Sequence, residues 1–253
     1  MKRIAILLSF LLLSVSSWAG VIPATFYVDS VLGSDNSSTN SGLATDNAWA
    51  TISKVNGFSR QNLALYSEQF QNASWTNDGR VSVVADNVLA PDGTLTADRL
   101  VETAVTAPHY IYHNTTLTSA AYVFSSFLKA GERTWAFLGL DQWGGAGAFF
   151  DLSNGTVGTK STGYTSGITS YGSGWYRCWV SRTASVGTWD SGIRTSVDGA
   201  DGSYLGDITK GIYAWGAQLE LGSLPTPYIP TDNVAVTASF QPGDSILFKR
   251  GQT

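Results

Sequence analysis

Two stretches carry side chains suited to holding a sugar: Trp175-Tyr176-Arg177-Cys178-Trp179-Val180-Ser181 and Phe124-Ser125-Ser126-Phe127-Leu128-Lys129. A pyranose offers C–H groups to a flat ring and hydroxyls to nearby polar groups, so exposed aromatics beside hydrogen-bonding side chains make a carbohydrate platform. Side chains of an extended strand alternate between two faces. One face of the first stretch then holds Tyr176, Cys178 and Val180, apolar enough for a core; the other holds Trp175, Arg177, Trp179 and Ser181. In the second stretch Phe124, Ser126 and Leu128 share one face, and Ser125, Phe127 and Lys129 share the other. If the two mixed faces lie on one sheet, Phe127, Lys129, Arg177 and Trp179 form an aromatic and basic patch, and Arg194 joins it from Gly192–Val197. Arginine beside tryptophan suits an acidic glycan, through bidentate pairing and stacking. The competing reading packs Trp175 and Trp179 under a loop and gives Arg177 a structural ion pair.

A second set sits in apparent loops: Trp143 in Asp141-Gln142-Trp143-Gly144-Gly145, Trp189 in Thr188-Trp189-Asp190, and Tyr164. A large ring is costly to expose without use, so each either meets a ligand or caps an end of the fold. Catalytic signals are missing. The chain has no Ser-His-Asp order, no metal-ligand spacing and no carboxylate pair that its strands would aim into one cleft. It is expected to be non-catalytic and to require no cofactor. His109 and His113 fall on one face of one strand, a weak zinc pattern without Cys or paired carboxylates. The single cysteine, Cys178, allows no internal disulfide and reads as a small buried hydrophobe.

Those side chains must be positioned by strands. Charged residues are only 13% while Gly, Ser, Thr and aromatics abound, which favours an all-β secreted protein. The net charge of −4 gives no basic field, so nucleic acid is not an expected partner. Lys2 and Arg3, the apolar run Ile4 to Leu13 and the small residues around Ala19 make residues 1–19 a secretory signal peptide, cleaved near Ala19. That run is shorter than the ~20 residues needed to span a bilayer, and no later stretch spans one, so no membrane partner is expected. Between Asn62 and Thr231 short alternating segments and turns recur about every ten residues, the pattern of an antiparallel β-sandwich. Expected strands include Leu63–Tyr66, Arg80–Val88, His109–Asn114, Tyr122–Ala130, Thr134–Leu140, Trp175–Arg182, Gly192–Val197 and Gly211–Leu219. Turns are expected at Ser153-Asn154-Gly155 and Gly172-Ser173-Gly174.

The central block, residues 59–232, resembles jelly-roll carbohydrate-binding domains of secreted polysaccharide-degrading enzymes and of phage tail and spike proteins. The resemblance rests on Asn-Leu-x-x-Tyr-Ser-Glu-x-Phe at Asn62 to Phe70, Pro-Asp-Gly-Thr at Pro91 to Thr94, Lys-Ala-Gly-Glu-Arg at Lys129 to Arg133, Gly-Trp-Tyr-Arg-Cys at Gly174 to Cys178, Trp-Gly-Ala-Gln-Leu-Glu at Trp215 to Glu220 and Tyr-Ile-Pro-Thr at Tyr228 to Thr231. It implies polysaccharide binding. It also implies a structural calcium between first and last strands, with Glu68 and Glu220 as candidate ligands and Asp98 as a contributor, against a metal-free, hydrogen-bonded Glu68.

The flanks resemble another group, the secreted right-handed parallel β-helix proteins, many of them polysaccharide lyases or glycoside hydrolases. Residues 20–58 match the cap of that group through Tyr27-Val28-Asp29, a Gly/Ser/Asp loop and Ala48-Trp49-Ala50-Thr51-Ile52-Ser53-Lys54-Val55. Residues 233–253 match a first coil through Pro242-Gly243-Asp244-Ser245-Ile246-Leu247-Phe248. Asp35 and Asp46 in the cap loop fit either calcium binding or plain turn chemistry. The block between the flanks reads as a domain inserted into a β-helix cap. One coil cannot bury its own apolar face, so the chain is expected to be a fragment of a longer protein. The function expected is glycan targeting for such an enzyme; the alternative is an adhesive module of a spike or surface adhesin.

Overall fold

The computed structural model describes residues 25–29, 60–142, 145–200, 202–238 and 245–249. The described residues form strands and turns with no helix. The expected signal peptide, the cap loop with Asp35 and Asp46, and Trp143 lie outside them.

Two six-stranded antiparallel sheets pack face to face as a β-sandwich. The first sheet joins, in spatial order, β11 (Thr156–Lys160), β10 (Gly147–Asp151), β9 (Trp135–Asp141), β14 (Gly187–Ser196), β7 (Tyr110–Leu117) and β3 (Trp75–Thr76). The second joins β12 (Thr165–Gly172), β13 (Trp175–Ala184), β8 (Ala120–Ala130), β16 (Gly211–Leu221), β5 (Ala97–Glu102) and β4 (Val81–Val88). Neighbours such as β9 and β14 are distant in sequence. Two short antiparallel pairs lie outside the sheets: β6 (Thr106–Ala107) with β15 (Tyr204–Leu205), and β2 (Arg60–Asn62) with β17 (Val236–Ala238). The flanks contribute β1 (Thr25–Asp29) and β18 (Ser245–Lys249), which pair in parallel, residue for residue, from Thr25↔Ser245 to Asp29↔Lys249.

Period-two alternation builds the core. Leu138, Leu140, Phe150 and Ile193 from the first sheet meet Leu100, Phe124, Leu128, Cys178, Val180 and Ile212 from the second. Each such side chain contributes about 1.5–3 kcal/mol by leaving water. The expected turns are present: Gly172, Ser173 and Gly174 all adopt positive φ between β12 and β13, as does Gly155 between β10 and β11.

The second sheet also carries a smaller cluster on its outer face, Phe127, Trp175, Trp215 and Tyr228 with Ala90 and Ala97. Residues 222–232 fold over this face and are pinned by buried hydrogen bonds. The Ile229 amide donates to Gln218 (2.7 Å), the Thr226 amide to Glu220 (2.8 Å), and the Thr231 amide to Ser67 (2.8 Å). Asn62 donates to the carbonyls of both Ala217 and Ile229, tying the entry of the domain to its exit. The segment Leu63–Tyr66, expected as a strand, is instead irregular, with Tyr66 at φ 49°. Its Tyr66 amide donates to the Asp232 carbonyl of the exit segment, while the Leu63 amide donates to the Leu219 carbonyl.

Candidate functional site

Alternation correctly sorts the two stretches singled out in the sequence. β8 and β13 are adjacent, with Arg177 opposite Phe127 and Trp175 opposite Lys129 on one outer face. That face is closed, however. Phe127 is fully buried under Tyr171, Trp215 and Tyr228, and Arg177 is 5% exposed. The Arg177 guanidinium donates to Ser125 (3.0 Å) and lies 5.3 Å from the Phe127 ring centre. Lys129 and Trp179 remain half-buried at the edges, Lys129 over the Trp175 ring and Trp179 over Gly167. Arg194 does not join this patch, because β14 belongs to the other sheet. Trp189 is also corrected: β14 starts at Gly187, so Trp189 is a strand residue, 3% exposed, in the core between the sheets. Tyr164 is buried, donating its hydroxyl to the Leu140 carbonyl (2.8 Å).

On the outer face of the first sheet Tyr110, Tyr112, Asp190 and Gly192 stay half-buried, while Phe137, Phe149, Arg194 and Asp141 are buried. Cross-strand register lays its side chains out in rows. Tyr110 faces Arg194, which faces Phe137, which faces Phe149. In the next row Tyr112 faces Gly192, Gly192 faces Gly139, and Gly139 faces Gly147. In the third, Asn114 faces Asp190, and Asp190 faces Asp141. The glycine row leaves bare backbone between two walls; at Gly147 a Cβ would collide with the Leu138 carbonyl, a close backbone approach of the kind that glycines inside strands mark. The resulting groove is a shallow depression open to solvent, with a cavity volume of only about 20 Å³, and Tyr112 lies at one end. It crosses β7, β14 and β9, a span of roughly 10 Å at ordinary strand spacing.

One wall is aromatic and cationic. The Arg194 guanidinium lies 4.3 Å from the Phe137 ring centre and 5.3 Å from that of Phe149. Tyr110 and Tyr112 are half-buried neighbours 5.4 Å apart, and Arg80 lies 4.8 Å from the Tyr110 ring. The other wall is acidic. Asp141 accepts the Gly145 and Ala146 amides (3.0 and 2.8 Å) on one carboxylate oxygen. Burial, then the charges of Asp141 and Asp78, raise the Asp190 carboxyl above its usual range. Both tyrosines are likewise pushed up, first by burial.

The candidate calcium ligands are separately satisfied. Glu220 accepts from Gln218 (2.7 Å), from the Thr226 amide (2.8 Å) and from the Thr226 hydroxyl. Glu68 accepts the Tyr228 hydroxyl at 3.0 Å, and burial lifts its carboxyl to about 7. Asp98 accepts the amides of Phe70 (2.8 Å) and Asp86 (3.0 Å). Among the described residues no group of three or more His, Cys, Asp or Glu is arranged to hold a metal. His109 and His113 are apart in role. His109 bonds the carbonyls of Arg80 and Tyr204, while His113 accepts the Leu65 amide (3.3 Å) and packs on Trp75. The Cys178 thiol is buried, which pushes its pKa well up.

Strand assignment alone could have pointed to the groove. Gly139 and Gly192 fall mid-strand on the face that carries Phe137 and Arg194, and Tyr110 and Tyr112 lie opposite the buried His109 and His113. No protein-family model matches the chain, and no curated protein matches it.

Proposed function

We propose that this chain is a non-catalytic polysaccharide-binding module, and that the glycine-floored groove on the first sheet is where the glycan lies. The observation that carries the reading is a shallow, solvent-open depression on the outer face of the first sheet, where Tyr110, Tyr112 and Phe137 flank the bare backbone of Gly139 and Gly192, beside Asp190 and Arg194. These groups suit ring stacking and hydroxyl recognition. Asp190 and Asp141 sit side by side on one wall, so they do not flank a ligand from two sides as a glycosidase pair does. That arrangement supports binding without hydrolysis.

The sandwich is read as a jelly roll set into the cap and first coil of a secreted parallel β-helix protein of the lyase or hydrolase kind, which it tethers to its substrate. Support comes from the register of β1 and β18, parallel neighbours contributed from the two sides of the sandwich. The test is retention of the purified chain on a panel of immobilised polysaccharides, compared with Gly139→Val and Tyr112→Ala. Gly139 is not at positive φ, and an added Cβ there would meet only the Phe137 ring edge closely (3.1 Å), so the valine fills the groove with limited strain. The expected result is loss of retention in both variants with unchanged melting. Retention that neither variant alters rules out the groove.

A further inference from the structure

We infer that the free edge of β12 docks a second copy of this chain, the two β12 strands pairing antiparallel about a two-fold axis at Ile168. The inference is independent of the carbohydrate reading above.

An edge strand turns every other N–H and C=O away from its sheet. Native proteins shield that row with short strands, bulges, prolines or charged side chains. Three of the four edges of the two large sheets carry such a device. β3 is two residues long. β4 loses register between Val84 and Val88, where Asp86 sits at φ 51°. β11 is broken in register against β10 and ends on the exposed Lys160. β12 is different. It runs for 8 residues, pairs with β13 without a break from Thr165 to Ser170, and contains no charged residue and no proline. Among the described residues β13 is its only partner in the sheet, and Thr165, Thr169, Ser170 and Tyr171 are exposed along it.

The strand is also its own complement. Residues opposite each other in an antiparallel pair share a face. A dyad at Ile168 therefore sets Ile168 against Ile168, Ser166 against Ser170, Gly167 against Thr169 and Thr165 against Tyr171. Apolar meets apolar, hydroxyl meets hydroxyl, and no two charges are brought together. Moving the dyad to Gly167 or Thr169 would set Ile168 against a serine. Two further features fit the Ile168 register. The Ser166 hydroxyl is buried with no hydrogen-bond partner within the chain, a costly state that the Ser170 hydroxyl of a second copy relieves. The half-buried Trp179 ring lies across Gly167, with ring atoms 2.6 Å from where a Cβ would stand. It thus offers apolar surface over the edge strand, where the Thr169 methyl of the second copy arrives. Such a contact uses the same patch on both copies, so it closes at the dimer.

The test is sedimentation velocity on the full chain, from low micromolar to near-millimolar concentration. Thr169→Lys and Thr169→Glu are run alone and as an equimolar mixture. Thr169 is exposed, and across the dyad its two copies are diagonal neighbours within reach of long side chains. The wild type should show a monomer–dimer equilibrium and nothing larger. Each variant alone should dimerise about fivefold more weakly, the effect of a like-charge pair across strands, and the mixture should regain wild-type association. Far-ultraviolet circular dichroism checks that each variant is folded. Hydrogen exchange of the wild type needs no variant: amides of residues 165–171 should exchange more slowly as concentration rises. A chain that stays monomeric throughout overturns the inference and leaves the edge to a strand of some other protein. So does a dimer that both folded variants keep at full strength, or one whose 165–171 amides exchange at the rate of the monomer.

Discussion

Glu102 and Arg133 show what a single pair contributes when it is taken out of water. Arg133 grips Glu102 with two nitrogens, Nε at 2.6 Å and an NH2 at 2.8 Å, while Tyr204 and the Asp207 amide donate to the same carboxylate. Burial alone would raise the Glu102 carboxyl, but these donors outweigh it and hold the group below its usual value. Replacing Arg133 by Met should therefore cost about 3–5 kcal/mol in urea denaturation, because it strands a buried charge. Adding Glu102→Gln to that variant should recover part of the loss. Glu68 works in the opposite sense. Its folded carboxyl titrates at about 7 against an ordinary 4.5, so the folded state holds its proton more tightly than the unfolded chain does. The stability this provides is complete below about pH 4.5 and is lost as pH rises through 7. Glu68→Gln should flatten the fall in unfolding free energy across that window, measured by denaturant melts at a series of pH values.

At the level of strands, β8 and β13 mark how far local pattern reaches. Alternation alone places Phe127 with Lys129 and Arg177 with Trp179, and the register of the two strands puts them on one face. It cannot say whether that face is open. The cover comes from residues 222–232, some forty or more positions further on, held by donors such as the Thr226 and Ile229 amides whose partners are set by tertiary packing. Trp189 was misplaced for a related reason: the expected strand began only at Gly192, yet the strand runs from Gly187 because both neighbours, β7 and β9, supply hydrogen-bonding partners. The groove was legible only in pieces. Gly139, Gly147 and Gly192 come from three strands, and only register aligns them. The cover itself is testable. Tyr228→Phe removes a hydroxyl shared by Ser67 (2.6 Å) and Glu68 (3.0 Å), and should cost about 1–3 kcal/mol in thermal or chemical melts.

On the scale of the whole molecule, the sandwich closes on itself. The strands β2 and β17 pair antiparallel, Arg60 opposite Ala238 and Asn62 opposite Val236, so the domain is entered and left at one point. A unit with paired ends and its own core is expected to fold alone. A polypeptide of residues 60–238 should melt cooperatively, within a few degrees of the full chain, with the same far-ultraviolet circular dichroism. The same pairing gives the chain a mechanical grading. A pull that separates residues 60 and 238 opens β2 from β17 one rung at a time, like a zip. A pull on the chain outside β1 and β18 draws those two parallel strands past each other, so all five of their residue pairs share the load in shear. Tension arriving from either end is thus borne by the flanking strands before it reaches the neck.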